Sequence, residues 1–332
     1  MIPASTSEQP RAAEFAPGPW PHRLGWLAAL SAVPLVLFGG SVTTLGAGMA
    51  VDGWLVAEGH FLLFFPVDLW LRDTATFVEH THRLFGVLVG VFALSCALVT
   101  LVRERRRVAR VLAGTTLAAV CLQGALGGLR VLAADSNLAF VHGALAQAVF
   151  ALLCVNAAVL SSGWRDARSP GAAVEGERRA LDSAATIALL VVGAQVVLGA
   201  WYRHGLRPVH AGDLALRLGL HVAGAVATLA ALAALARRGA AFRARAALPP
   251  GLNGVLARLP ILLVVQLVLG GLAWAGHREG ALGPAEWILS VVHVLLGALL
   301  LAHCALAAAW TRRLGRAPAI AGSVPALCEV AP

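Results

Sequence analysis

Long apolar runs separated by short polar connections make up most of the sequence after residue 23. A helix needs about 20 consecutive apolar residues to cross the hydrocarbon core of a bilayer, and eight runs reach that length. They lie at residues 24–45, 82–102, 108–129, 137–160, 181–202, 214–236, 254–275 and 286–310. The pattern predicts an all-α polytopic membrane protein with eight transmembrane helices, numbered here as spans one to eight.

The composition supports a membrane protein and argues against a basic nucleic-acid-binding domain. The chain of 332 residues is 59% hydrophobic and 13% charged, whereas soluble domains are about 45–50% apolar and about 25% charged. All 26 basic residues are arginines, and the formal net charge is +9. These arginines gather in short loops between spans, so we attribute the charge to membrane topology and lipid headgroups, and we expect no nucleic-acid partner.

The arginines also orient the spans. They are dense in the loops after spans two, four and six and after span eight, and sparse in the other loops. The positive-inside rule therefore predicts that both termini lie in the cytoplasm. The longest outer loop, 46–80, is acidic and contains Trp54 and Trp70, which predicts a cap at the membrane interface.

An internal repeat divides the spans into two sets of four. Gln123–Leu129 in span three matches Gln266–Leu272 in span seven. Because four spans return the chain to the same side, the two halves share one orientation and are related by a pseudo-twofold axis along the membrane normal. The predicted organisation is an N-terminal tail at 1–22, a first four-helix half at 23–160, a linker at 161–180, a second half at 181–312 and a C-terminal tail at 313–332.

One histidine lies at an equivalent place in each even-numbered span: His82, His142, His221 and His293. All four are within about two turns of the outer boundary at 1.5 Å per residue, and a polar side chain inside a membrane is costly and marks function by default. Haem iron takes two axial imidazoles, and bundle cores supply such ligands from facing helices. We therefore expect two haem sites, one pairing His82 with His142 and one pairing His221 with His293.

Three further expectations accompany these sites. Zinc fits less well, because it requires additional converging ligands. His80 and His303 are expected to be structural. Four glycines near the ligands are expected to leave room for a flat macrocycle: Gly86, Gly143, Gly224 and Gly297.

The first half carries an acid beside its first histidine, whereas no acid lies beside His221, and Glu286, seven residues before His293, is expected to be interfacial. Glu79 precedes His82 by three residues and so shares its helix face, where a carboxylate could accept a proton. The alternative is an interfacial salt bridge with Arg83 or Arg72. The first half is therefore predicted to be reactive and the second to hold a haem for electron transfer.

Arginines at the outer ends of the spans are candidates to bind haem propionates, because a guanidinium pairs well with carboxylates. Our candidates are Arg83, Arg130 and Arg217.

After residue 24 the chain resembles the haem A synthases. The resemblance rests on eight spans in two tandem halves with one histidine at the head of each even-numbered span, and on Glu-x-x-His-Arg at Glu79–Arg83. Leu-Gly-Gly-Leu-Arg at 126–130 and the stretch from Phe-Gly-Gly-Ser-Val-Thr-Thr to Gly-Met at 38–49 add to it.

The resemblance implies an enzyme that oxidises the C8 methyl of haem O to the formyl of haem A for cytochrome oxidase. It implies a prosthetic haem b on His221 and His293, a substrate haem on His82 and His142, and a catalytic role for Glu79. It also implies a bacterial inner membrane, with both haem sites near the periplasmic face. The implied partners are haem O synthase (protohaem farnesyltransferase), cytochrome oxidase assembly factors and an electron acceptor of unknown identity, and a homo-oligomer is compatible with it.

The chain departs from the family pattern in three places, one of which is the stretch at 41–54, which is looser than the common form. Outer segments 46–80 and 203–213 contain no cysteine, which argues against a thiol relay there, and His221 is followed by Val222 instead of arginine.

Two other functions fit the sequence less well. A b-type cytochrome that moves electrons across the bilayer would stack its ligands about 20 Å apart along one helix, which needs 13–14 residues, and no span has that spacing. A histidine-relay transporter would favour inverted repeats and interrupted helices at mid-membrane, whereas the repeat here is parallel.

Overall fold

A computed structural model of the chain describes residues 18–205, 213–276 and 283–316, and it is helical throughout apart from one small hairpin. The elements in chain order are α1 (Trp20–Leu45), β1 (Val56–Ala57), β2 (His60–Phe61), α2 (Val67–Trp70), α3 (Thr74–Arg103), α4 (Arg107–Leu132), α5 (Ser136–Val159), α6 (Ser162–Asp166), α7 (Glu175–Gly205), α8 (Leu214–Arg243), α9 (Pro250–Gly276) and α10 (Pro284–Arg316). Eight of these helices are long and apolar enough to cross a membrane. The prediction of an all-α, eight-span membrane protein is confirmed.

The helices extend beyond the predicted spans mainly at their polar ends. The largest difference is at α3, which begins at Thr74 instead of residue 82. Asp73 caps this helix by accepting a hydrogen bond from the backbone nitrogen of Thr76 at 2.8 Å, so the polar turns that precede His82 are helical. Most of the predicted N- and C-terminal tails lies outside the described residues.

Each half is a closed ring of four helices. In the first half α1 packs on α3, α3 on α4, α4 on α5, and α5 closes the ring on α1. In the second half α7, α8, α9 and α10 repeat this order. The helices that carry the paired histidines therefore stand at opposite corners of each ring.

The two halves meet in a pattern that a twofold axis preserves. Helix α5 packs on α10, while α1 contacts α10 and α5 contacts α7. Exchanging α1 with α7 and α5 with α10 maps this interface onto itself, so the structure agrees with the predicted pseudo-twofold relation.

Small residues and a few polar bonds hold the halves together. A Cβ on Gly40 in α1 would lie 3.3 Å from a methyl carbon of Val291 in α10, so the two helices approach closely there. The indole nitrogen of Trp287 donates to the hydroxyl of Ser41 at 2.9 Å. Arg203 of α7 donates to the carbonyl of Gly40 and the hydroxyl of Thr44.

Residues 46–73 fold into a cap over one end of the first half. Glu58 and Gly59, with φ of 48° and 82°, form the two-residue turn of the β1–β2 hairpin, a geometry that matches strand twist. The guanidinium of Arg72 donates to both carboxylate oxygens of Glu58 at 2.6 and 2.7 Å, which lowers the pKa of Glu58 from its ordinary value. The cap also packs on α4, where the Trp54 ring occupies the space that a Cβ on Gly128 would fill.

On the opposite, arginine-rich side, the predicted linker at 161–180 packs against the second half. Trp164 of α6 contacts Trp310 of α10, with ring centroids 4.6 Å apart. Arg313 donates to the backbone carbonyls of Trp164, Arg165 and Ala167.

Candidate functional site

The structure brings the four predicted histidines together as two pairs of equal dimensions. The ring centroids of His82 and His142 are 6.4 Å apart with an interplanar angle of 89°, and those of His221 and His293 are 6.4 Å apart at 79°. All four imidazoles are half-buried. The pairing predicted within each half is therefore the pairing that the fold produces.

This separation fits two axial ligands of a single metal. An imidazole nitrogen bonds a metal at about 2 Å and lies about 1.1 Å from its ring centroid, so two imidazoles facing each other across one metal would have centroids about 6.2 Å apart. The observed separation agrees within the tolerance of about 0.2 Å expected for ligand distances. The donor set of two neutral imidazoles at opposite corners of a helix ring suits a planar macrocycle between them.

Each imidazole lies against a glycine of the preceding odd-numbered span. A Cβ added to that glycine would come within 2.8 or 2.9 Å of the imidazole Cε1, closer than the usual carbon–carbon contact of about 3.5–4.0 Å. The four contacts are Gly39 with His82, Gly127 with His142, Gly199 with His221, and Gly270 with His293. Only glycine leaves room for the ring at these positions.

The contact between each glycine and its histidine has a signal in the sequence, a fixed spacing of four residues. The residue four positions before each glycine contacts the same histidine, which gives the series Leu35, Gln123, Gln195 and Gln266. The repeat noted in spans three and seven is also present in span five (Gln195 to Gly199), and span one has the same spacing with leucine in place of glutamine (Leu35 to Gly39). The repeating unit of the site is thus one helix pair, present four times.

The Nδ1 atoms of two imidazoles point at backbone carbonyls. Nδ1 of His82 lies 3.1 Å from the carbonyl oxygen of Leu35, and Nδ1 of His293 lies 3.2 Å from that of Gln266. A carbonyl accepts a hydrogen bond from Nδ1–H, which places the lone pair of the ring on Nε2, the nitrogen that could bind a metal. At His293 the side-chain amide nitrogen of Gln266 lies 3.3 Å from Nε2, so a metal bound there would have to displace this amide.

The other two imidazoles are held by glutamine side chains. The amide nitrogen of Gln123 donates to the carbonyl of His142 at 2.8 Å and lies 3.1 Å from its Nδ1. Gln195 makes the same contacts with His221 at 2.9 and 3.1 Å. Among the described residues, the amide oxygens of both glutamines have no partner. Each amide nitrogen has two hydrogens, one for the backbone carbonyl and one for Nδ1, so each glutamine holds the backbone and the ring of its histidine together.

The glycines that we expected beside the ligands have other neighbours. A Cβ on Gly143 would lie nearest His204, and one on Gly224 would lie nearest Gln195. Gly86 and Gly297 likewise have nearest neighbours other than the four ligands. The close approach to each imidazole comes instead from a glycine of the neighbouring helix.

Glu79 is fully buried, and both of its carboxylate oxygens are engaged. Oε1 accepts from Arg83 at 2.9 Å, and Oε2 accepts from the backbone nitrogen of Val51 at 3.0 Å. Arg83 also donates to the carbonyls of Val51 and Gly53 at 2.8 and 2.9 Å. The alternative of a salt bridge with Arg83 is therefore the observed geometry, and the pair ties the cap to the turn of α3 that carries His82. Arg72 pairs with Glu58 instead.

The other two propionate candidates also lie on the outer side of the rings. Nη1 of Arg130 is 3.4 Å from the carbonyl oxygen of Gly48 in the cap. Arg217 donates to the carbonyl of Trp201 at 3.1 Å, and its guanidinium lies 4.7 Å from the ring centroid of Trp201. Nε of Arg217 is buried and without a partner among the described residues.

The two histidines expected to be structural lie outside the pairs. His80 is buried in the cap, with its ring 4.6 Å from that of Phe65 and 5.3 Å from that of Trp70. Nδ1 of His303 is 2.8 Å from the carbonyl oxygen of Leu299 on its own helix.

Comparisons add no relative to this picture. No family model, curated protein or solved structure matches the chain. Within the described residues there is also no group of three or more His, Cys, Asp or Glu side chains that could bind a metal ion.

Proposed function

We propose that the protein binds one bis-histidine haem in each half and oxidises the C8 methyl of haem O to the formyl of haem A. The observation that carries the proposal is the 6.4 Å separation of the imidazole centroids, which is the same in both halves. The resemblance of the sequence to the haem A synthases supplies the reaction.

The two halves would have different roles, because Glu79 shares a helix face with His82 in the first half. His82 and His142 would hold the substrate haem, and His221 and His293 a prosthetic haem b. The prosthetic haem would supply a redox-active iron to accept electrons. The glycines of the neighbouring helices leave room for each half-buried imidazole. The cap at residues 46–73 would exclude water from the first site.

Glu79 would serve the first site in two ways. Its contacts with Arg83 and Val51 hold the cap against α3, one turn from His82. As a proton acceptor it would have to exchange one of these partners for the substrate, so we propose the anchoring role as the resting state and the catalytic role for the substrate-loaded protein.

One observation favours a second candidate, a b-type cytochrome that carries electrons without modifying its haem. Both oxygens of Glu79 are occupied, which leaves no free base beside His82. Against this candidate, all four imidazoles lie within two to three turns of the first residues of their helices, so they offer no relay across the bilayer.

Expression in a host that makes haem O but lacks its own haem A synthase separates the two candidates. Extracted haems would be identified by mass in cells with wild-type protein, Glu79→Gln and the control His303→Ala. We expect haem A with wild type and the control, and unconverted haem O with Glu79→Gln. Two bound haems without any haem A in the wild type would favour the cytochrome.

A further inference from the structure

A cleft opens between α7 and α8 near the arginine-rich side, away from the imidazole pairs. It consists of two adjoining hollows of about 320 and 260 Å³ that share Ala234 and Arg238. Small side chains form most of its wall, with Ala180 and Ala184 on α7 and Ala231 on α8. Arg237 and Arg238 stand at one end.

The depth of the cleft matches the edge of the hydrocarbon core. Ala234 follows Leu214, the first residue of α8, by 20 positions, which corresponds to about 30 Å along a helix. The hydrocarbon core is also about 30 Å thick. The alanine wall therefore lies at acyl-chain depth, and the two arginines lie at headgroup depth.

The two arginines of the cleft have no partners, whereas two other arginines on the same side of the protein are paired. Arg245 pairs with Glu177 at 2.5 Å, and Arg178 pairs with Glu175 at 2.7 Å. Arg237 and Arg238 are exposed and make no ion pair or hydrogen bond with any other part of the chain that the structure describes. Two adjacent positive charges thus remain available for an anion at the mouth of an apolar groove.

We propose that this cleft binds an anionic phospholipid of the arginine-side leaflet. Guanidinium groups bind phosphate oxygens by charge-assisted hydrogen bonds, and basic pockets between helices at this boundary suit anionic headgroups. The phosphate contacts Arg237 and Arg238, while an acyl chain lies against the alanines and against Ile187, the large apolar side chain that also lines the cleft. The apolar wall next to the charges is what distinguishes a lipid site from a site for a free anion.

Native mass spectrometry of the detergent-solubilised full chain tests the charge contribution. Phosphatidylglycerol or phosphatidylcholine is added to wild type, to Arg237→Gln/Arg238→Gln, and to the control Arg107→Gln/Arg110→Gln, which removes the same charge from exposed arginines of α4. At about 1 kcal/mol per arginine, we expect phosphatidylglycerol affinity to fall roughly ten- to thirty-fold in the cleft variant. The control and the phosphatidylcholine affinities should stay near wild type.

A second pair of variants tests the cleft itself. Ala234→Phe fills the shared wall of both hollows, whereas Ala233→Phe adds the same ring one residue away, at an exposed position outside the cleft. We expect only Ala234→Phe to lose phosphatidylglycerol binding, with both arginines intact. Equal affinities for the two arginine variants, or for the two phenylalanine variants, would overturn the proposal. Neither measurement requires haem, so the outcome for the lipid site is independent of the proposed function.

Discussion

The contact between Gly270 and His293 makes the account of the haem sites testable with one added methyl group. A Cβ at position 270 would lie 2.8 Å from Cε1 of the imidazole, while two carbons in contact need about 3.5–4.0 Å. The Gly270→Ala substitution therefore demands a displacement of about 1 Å. Nδ1 is already bonded to the carbonyl of Gln266 on the same helix as Gly270, so the ring can move only by breaking that bond or by parting α9 from α10.

Such a displacement is several times larger than a metal site tolerates, because ligand distances hold to about 0.2 Å. Overpacking of a well-packed interior typically costs about 1–3 kcal/mol, so we expect Gly270→Ala to fold but to lose the second-half haem or convert it from a low-spin, six-coordinate to a high-spin, five-coordinate state. Visible absorption and electron paramagnetic resonance spectra of the purified protein would report this change.

Gly271→Ala is the matched control. A Cβ at this neighbouring position meets nothing within 4 Å, and alanine favours a helix over glycine by about 1 kcal/mol. This variant should keep both haems and the wild-type spectrum. A Gly270→Ala protein with the same haem content and spin state as Gly271→Ala would refute our reasoning about the contact between this glycine and the imidazole.

Three further predictions concern the surroundings of the sites. Glu79→Gln should lower the free energy of unfolding by about 3 kcal/mol, because it leaves the charge of Arg83 buried and less well paired; thermal denaturation measures this, and an unchanged melting temperature would contradict it. The lowered pKa of Glu58 means that its pair with Arg72 stabilises the cap above the ordinary carboxyl pKa and loses that effect as the pH falls through the lower folded value; hydrogen exchange in the hairpin should therefore speed up in acid, and the Arg72→Gln variant should show no such dependence on this pair. Gln195→Leu should weaken haem retention in the second half by about 10- to 100-fold, the usual effect of removing a partner of a ligating histidine; transfer of haem to an apoprotein acceptor measures it, and an unchanged transfer rate would count against the role of the amide.

The sequence was most informative where hydrophobicity alone decides the structure. All eight spans and the pairing of the histidines within each half could be predicted, because apolar length and the internal repeat determine them. The start of α3 at Thr74 could not, because hydropathy locates only the apolar part of a helix and does not show the cap that buries Glu79. That burial depends on Val51 and Arg83 meeting across 32 positions, a contact that local patterns do not encode.

The contacts between the glycines and the imidazoles show a different limit of prediction from the sequence. Gly39 and Gly199 lie on spans without a ligand, so their relation to His82 and His221 depends on how closely two helices approach. The repeated spacing of four residues is present in the sequence, but its meaning emerges only when the neighbouring helix is in place.

The most direct test of the central claim is the haem content and ligation of the purified full-length protein. We predict two haems per chain, both low-spin with two histidine ligands, and the loss of one haem when either His142 or His221 is changed to alanine. A preparation without Soret absorbance, or one whose haem content is unaffected by both substitutions, would contradict the account.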